Sequence, residues 1–319
     1  MKIRGVIAAA FSFALLIAAI WWGARQSAMA SVLGHSFARA FLSFALLFAP
    51  LWFSAFGLIE MLKPLPSRMK ILGAAALALP YFALCLGTPA LEWRASLIVI
   101  AFPVLLAAFV GRAATPSRMT WRDGTALAII AAAYFLNWLA PAWPSPRLNL
   151  LPKLFLADTA VYCFLVVRRL EGAGEQLIPT RSALLVGTRE WAFYAPIAIV
   201  FGEATGFLHF HAALPGATKL IAAVVYTFSL IALPEEFFFR AILQNFLETR
   251  LGREPALFLA ALLFGLSHFH HGAVFNGRYV LLAAIAGYFY GRAWRANREL
   301  LPALLTHTAV DVAWSLWFR

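Results

Sequence analysis

The chain has 319 residues, 63% hydrophobic and only 13% charged, with a net charge of +12. A soluble domain carries roughly 45–50% apolar and about 25% charged residues. Soluble, disordered, collagen-like and coiled-coil chains are therefore excluded, and a polytopic membrane protein remains. Cys85 and Cys163 are too few for a disulfide framework and too far apart for a paired-cysteine metal site. Both sit in apolar runs and read as small buried hydrophobes.

A hydrocarbon core about 30 Å thick needs about 20 apolar residues per spanning helix. Eleven runs read as candidates, near 5–23, 41–62, 71–89, 95–111, 125–140, 150–167, 190–208, 217–236, 255–270, 278–293 and 300–317. They lack the alternation of barrel strands. The pattern predicts an all-α, polytopic transmembrane helical bundle of about eleven spans, with eight as the lower bound. Ala28-Met29-Ala30 after the first run resembles a signal-peptide cleavage site. The apolar core before it exceeds the 7–15 residues typical of a signal, so an uncleaved anchor is the preferred reading.

The basic residues test this layout. With the N terminus cytoplasmic, 17 Lys and Arg fall in cytoplasmic loops and ends and 8 on the opposite side, with Arg240 inside a run. That asymmetry follows the positive-inside rule and predicts an N-in, multi-pass protein; a bacterial inner membrane is the expected location. The +12 is thus mostly topology. Basic residues dispersed over many short loops give no nucleic-acid footprint, and the lipid bilayer is the expected partner. The longest polar connection, Arg168 to Arg189, reads as a loop followed by a short interfacial stretch. It divides 1–180, apolar and poor in internal charge, from 181–319, which holds most of the histidines and intramembrane charge.

Charges at membrane depth cost about 2.5–3.5 kcal/mol each on insertion scales and mark functional candidates. Here they are Asp158, Glu203, Glu235, Glu236, Arg240, His268, His307 and Asp311. In Pro234-Glu235-Glu236-Phe237-Phe238-Phe239-Arg240, helix spacing makes Glu236 and Arg240 an i, i+4 pair, acid first. Glu235 points about 100° away, with no cation nearby in sequence. A desolvated carboxylate can act as general base or acid near neutrality. A purely structural ion-pair network is the competing reading. Phe264 and His268 share one helix face, and so do His307 and Asp311. At about 1.5 Å per residue, Glu235 and His268 lie about 27 and 22 Å from Arg253. His307 and Asp311 lie about 14 and 20 Å from Arg298. One shared site is compatible with these depths. The sequence leaves open to which side it would face.

At these residues the sequence resembles the CPBP family of intramembrane proteases, which includes the Ras-converting CAAX prenyl endopeptidases and bacterial Abi-type proteins. The family pattern EExxxR, FxxxH and HxxxN or HxxxD is matched by Glu235-Glu236-x-x-x-Arg240, Phe264-x-x-x-His268 and His307-x-x-x-Asp311. The resemblance covers about 190–319 and leaves the first 180 residues unexplained; family members commonly have about eight spans. It implies a CPBP-type helical core and an endopeptidase acting on a membrane protein or peptide. By that analogy Glu235 and His268 activate a water, and His307 and Asp311 stabilise the oxyanion. Glu236, Arg240 and Phe264 support them. An ionised Asp311 cannot donate to an oxyanion, so it orients His307 or is protonated. The resemblance fixes no cofactor. Zinc is possible, and Glu235, His268 and His307 would then be its ligands.

Other readings compete. A rhomboid-like serine protease would use Ser267, but Gly265-Leu266-Ser267-His268 lacks the final glycine of its turn. A proton-coupled transporter would relay protons through Glu203, Asp158 and the Glu pair, yet no inverted repeat is visible. A haem-binding subunit would need more paired histidines. A non-proteolytic immunity or assembly factor would keep the same residues. His209, His211, His270 and His271 read as interfacial, and Gly287 and Gly291 as a close helix contact.

Overall fold

A computed structural model describes residues 3–26, 28–112, 118–212, 214–269 and 275–318. Among these residues the secondary structure is helical, without strands. The chain divides into two compact units, Met1–Glu171 and Gly172–Arg319.

The first unit contains α1 (Ile3–Gln26), α2 (Ala28–Leu33), α3 (Phe37–Ser54), α4 (Leu58–Leu62), α5 (Ser67–Gly73), α6 (Leu79–Cys85), α7 (Trp93–Val110), α8 (Trp121–Phe135) and α9 (Leu150–Val161). A 3₁₀ stretch joins α5 to α6, and π-helical Tyr162–Val167 continues α9. The α9 stretch is 72% buried and the α1 stretch 6%, so α9 forms the centre of this unit and α1 its margin. Aromatic side chains fasten α1 to α3: Trp21 meets Phe41 at 4.7 Å and Phe13 meets Phe48 at 6.2 Å. Thr120 and Asp123 cap α8 reciprocally. Asp123 also binds Arg168 at 2.9 Å, an ion pair with almost no exposure. Asp158, on α9, is buried, and neither of its carboxylate oxygens has a hydrogen-bond partner among the described residues.

The second unit contains α10 (Arg181–Ala204), α11 (Ala217–Tyr226), α12 (Leu233–Glu236), α13 (Asn245–Leu251), α14 (Arg253–Ser267), α15 (Gly277–Asn297) and α16 (Leu300–Trp317). Two π-helical stretches, Thr227–Ala232 and Phe237–Gln244, fuse α11, α12 and α13 into one 35-residue rod, Ala217–Leu251. The expected span 217–236 is therefore only its first part. The expected connection 168–189 also ends early, because the Thr180 side chain caps α10 by accepting from the Ala183 N–H.

Seven helical stretches are long and apolar enough to cross a membrane. Five lie in the first unit; α10 and the 35-residue rod supply the others. The expected eleven are not all reached by this measure. Helices α8 and α14 have 15 residues each. Helix α15 carries Arg278, Arg292 and Arg295, and α16 carries His307 and Asp311.

Short corners set the antiparallel order of the second unit. Gly252 alone, at φ +80°, reverses the chain between α13 and α14. A side chain at that φ would be strained. Arg298, in the left-handed region at φ 53°, turns α15 into α16. Three side-chain contacts gather the helix ends at this level. Arg295 pairs with Glu254 at 2.8 Å, Arg298 pairs with Glu248, and Asn297 donates to Ser182 at 3.1 Å. At the other level the His211 N–H donates to the Trp317 carbonyl at 3.0 Å, and Phe210 meets Phe318 at 5.4 Å. Helices α14 and α15 touch closely. A Cβ on Gly265 would sit 2.5 Å from the Ala284 Cβ, and one on Gly287 would press on Phe264. The small residues on both helices make this approach possible.

Candidate active site

Helix geometry brings the three motifs together around His307. Its Nδ1 donates to the Glu236 carboxylate at 2.8 Å. Its Nε2 lies 3.5 Å from Asp311, one turn on, and 3.9 Å from Glu235. The other Glu236 oxygen accepts from Arg240 Nε at 2.9 Å. Adjacent residues on a helix diverge by about 100°. One imidazole can still meet both glutamates, because its two nitrogens point apart. Glu236, Arg240 and His307 are buried, whereas the Glu235 and Asp311 side chains keep 30% and 26% of their exposure. The reactive edge thus remains accessible while the frame behind it is closed.

Aromatic rings complete the frame. The Arg240 guanidinium lies 5.1 Å from the centre of the Phe264 ring and 5.9 Å from that of Tyr290. Its Nη1 and Nη2 have no hydrogen-bond partner among the described residues. The π faces therefore take the place of acceptors. Tyr290 stacks on His307 at 4.5 Å with the planes 15° apart, and Phe264 meets the same imidazole edge-on at 5.7 Å. The imidazole is held on its edge by a carboxylate and on its face by a ring.

His268 caps the C-terminal end of α14. Its Nδ1 is 2.9 Å from the Phe264 carbonyl, to which the Ser267 hydroxyl also donates at 2.6 Å. A carbonyl only accepts, so Nδ1 carries the proton and Nε2 is the basic nitrogen. Ser267 is engaged as a donor within this turn. His268, His307 and Asp311 line one cavity of about 130 Å³, whose walls include Tyr194, Tyr279 and Trp314.

The remaining expectations sort out differently. Asp158 belongs to the first unit. Glu203 is exposed and accepts from the Phe210 N–H at 3.0 Å, closing the turn after α10. His209 and His211 are exposed in that turn, and His270 and His271 lie outside the described residues. Among the described residues, no group of three or more His, Cys, Asp or Glu is arranged to hold a metal ion.

Residues 216–313 match the family described as type II CAAX prenyl endopeptidase Rce1-like, the group the three motifs resemble. This Rce1-like stretch contains every motif residue from Glu235 to Asp311 and stops short of α10 and the whole first unit. No curated protein and no solved structure matches the chain.

Sequence reasoning missed Tyr290 and Glu190. Tyr290 continues a cavity-facing stripe, Leu282, Ala283, Ala286, whose helical spacing was legible. Glu190 is buried on α10 between Arg189 at 2.7 Å and Arg292 of α15 at 3.3 Å. Its neighbour in sequence, Arg189, concealed the longer-range partner.

Proposed function

We propose that the chain is an intramembrane endopeptidase of the CAAX-protease type that hydrolyses a peptide bond in a membrane-associated protein or peptide. The observation that carries this reading is the convergence of Glu235, Glu236 and Asp311 on His307, beside a cavity that His268 also lines. Glu235, whose side chain keeps 30% exposure, takes a proton from a water that Nε2 of His268 orients. The hydroxide adds to the scissile carbonyl. His307, protonated on both nitrogens between Glu236 and Asp311, offers its Nε2–H to the oxyanion, and the long 3.5 Å separation from Asp311 leaves that N–H open to it. Asp311 orients His307 rather than donating itself. Collapse of the tetrahedral intermediate passes the proton to the leaving amine. Glu236 and Arg240 keep the imidazole in place.

The same reading gives eleven spans, N-in, in a bacterial inner membrane. The split of basic residues supports it, and α8, α15, α16 and the segment that α14 begins would be the four further crossings.

The test is cleavage of candidate membrane substrates by purified protein. Glu235→Ala and His268→Ala should abolish it, and His307→Ala should lower the rate about 10²–10³-fold, as loss of an oxyanion donor does. Cleavage by both of the first two variants at the wild-type rate would sink the proposal.

A further inference from the structure

The cavity and the basic residues of the second unit occupy opposite levels of the helices. Arg181, Arg250, Arg253, Arg292, Arg295 and Arg298 lie where α10, α14 and α16 begin and α13 and α15 end. The pairs Arg295–Glu254 and Arg298–Glu248 and the Asn297–Ser182 bond bring these ends together. At the opposite level the described residues include only Lys219 and Arg278 as Lys or Arg. Short loops rich in Lys and Arg stay cytoplasmic. The second unit therefore carries its own orientation signal, independent of the first.

The cavity lies mostly toward the cation-poor end and reaches the middle of the helices at Trp191, Tyr290 and His307. It takes α10 from Trp191 onward, the turn residues Phe207 and Leu208, the C-terminal end of α14, α15 up to Tyr290 and α16 from His307 onward. On the arginine side Trp294, Leu300 and Leu304 are buried and fill the space between the helices. Helix α14 is 15 residues long, about 22 Å, and it stops at His268 before a full crossing of about 30 Å. Non-helical backbone at membrane depth is tolerated where it is buried in protein or borders a water-filled space. The cavity beside His268 supplies such a space, and water is what hydrolysis needs.

We infer that the cavity opens toward the non-cytoplasmic face, so that the peptide it takes is an extracytoplasmic loop or a juxtamembrane segment presented from that face. The identity of the ligand as a peptide rests on the endopeptidase reading; the direction of the opening does not. A cytoplasmic C-terminal tail would meet the closed, arginine-bearing end.

The test is substituted-cysteine labelling of the full chain in intact cells with a small, permanently charged methanethiosulfonate. Both native cysteines are buried, so the unsubstituted protein is the blank. Leu214→Cys probes the loop beside the cavity, where Leu214 is 93% exposed. Ala313→Cys probes the cavity wall, and Ala296→Cys, at an exposed position, probes the arginine-bearing end. The expected result is labelling of Leu214→Cys and Ala313→Cys in intact cells, and of Ala296→Cys only after permeabilisation. Two outcomes overturn the inference. One is the reverse pattern, with Ala296→Cys labelled from outside. The other is Ala313→Cys that stays unlabelled in intact cells while Leu214→Cys reacts. Neither outcome bears on whether Glu235→Ala loses activity, so the opening and the chemistry are judged separately.

Discussion

Glu236 is the side chain whose loss should cost the fold most at this site. It is fully buried and serves two partners, Arg240 Nε at 2.9 Å and His307 Nδ1 at 2.8 Å. Arg240 is fully buried as well, and its outer nitrogens already lack hydrogen-bond partners among the described residues. Glu236→Leu therefore strands a guanidinium among Phe239, Phe264 and Tyr290. Removing one partner of a buried pair costs about 3–5 kcal/mol, whereas exchanging both for apolar residues of similar volume is close to neutral. The cation–π contacts offset none of this cost, because they exist before and after the change. Glu236→Leu with Arg240→Met should thus recover most of the lost stability. The coupling in the cycle should be about 3 kcal/mol, near the top of what contacting pairs show. Unfolding in mixed micelles, followed by tryptophan fluorescence against denaturing detergent, reads these differences. Peptide cleavage should be lost in both variants, because His307 Nδ1 has lost its acceptor. Equal stability of Glu236→Leu and the wild type would refute the argument. So would a double variant as unstable as the single one.

Further outcomes are expected at neighbouring positions. Tyr290→Phe keeps the ring stacked on His307 and should leave kcat nearly unchanged; Tyr290→Leu should lower kcat with little change in KM, which steady-state kinetics separates. Gly265→Val drives a side chain into Ala284 and the Val280 carbonyl, 2.5 and 2.6 Å from where its Cβ would lie. Overpacking of that kind costs about 1–3 kcal/mol, to be seen as a lower midpoint in the same unfolding assay. Dialysis against a strong chelator should leave cleavage intact if Glu235 and His268 activate the water without a metal. Stoichiometric zinc lost together with activity would contradict that.

The helical class and the pairings within each motif were legible because they depend on short-range geometry. Residues one turn apart on a helix are neighbours, so Glu236–Arg240, Phe264–His268 and His307–Asp311 could be paired from spacing alone. Long-range pairings were not legible in that way. That Glu236 rather than Glu235 would bond His307 Nδ1 depends on how the 35-residue rod is rotated against α16. The Asp123–Arg168 and Glu190–Arg292 pairs join residues far apart in sequence. Arg168 and Arg292 were therefore readable only as loop charges. Composition placed α10 and the long rod, but their ends were misjudged. Thr180 caps α10 before its apolar run starts, and the rod continues past Arg240 because Glu236 and the surrounding rings absorb that charge.

Pro234 links the unusual backbone of the rod to its chemistry. Proline lacks an N–H and its ring crowds the preceding turn, which breaks or kinks a regular α-helix. Here the chain stays helical by widening to π geometry over Thr227–Ala232, just before Pro234, and again over Phe237–Gln244. Such insertions change which residues face a neighbouring helix. The Glu pair sits between the two π stretches, so its rotation toward His307 depends on both. Pro234→Ala restores the missing donor and lets the first stretch relax toward α geometry. Stability should not fall, since a helix-breaking residue has been replaced by the best helix former. Cleavage should fall, because relaxing the first stretch changes the rotation of Glu235 and Glu236 relative to α16. Unfolding midpoint and turnover measured on one preparation decide the matter. A Pro234→Ala enzyme with undiminished turnover would mean that packing against α16, not the proline, sets the orientation of the two carboxylates.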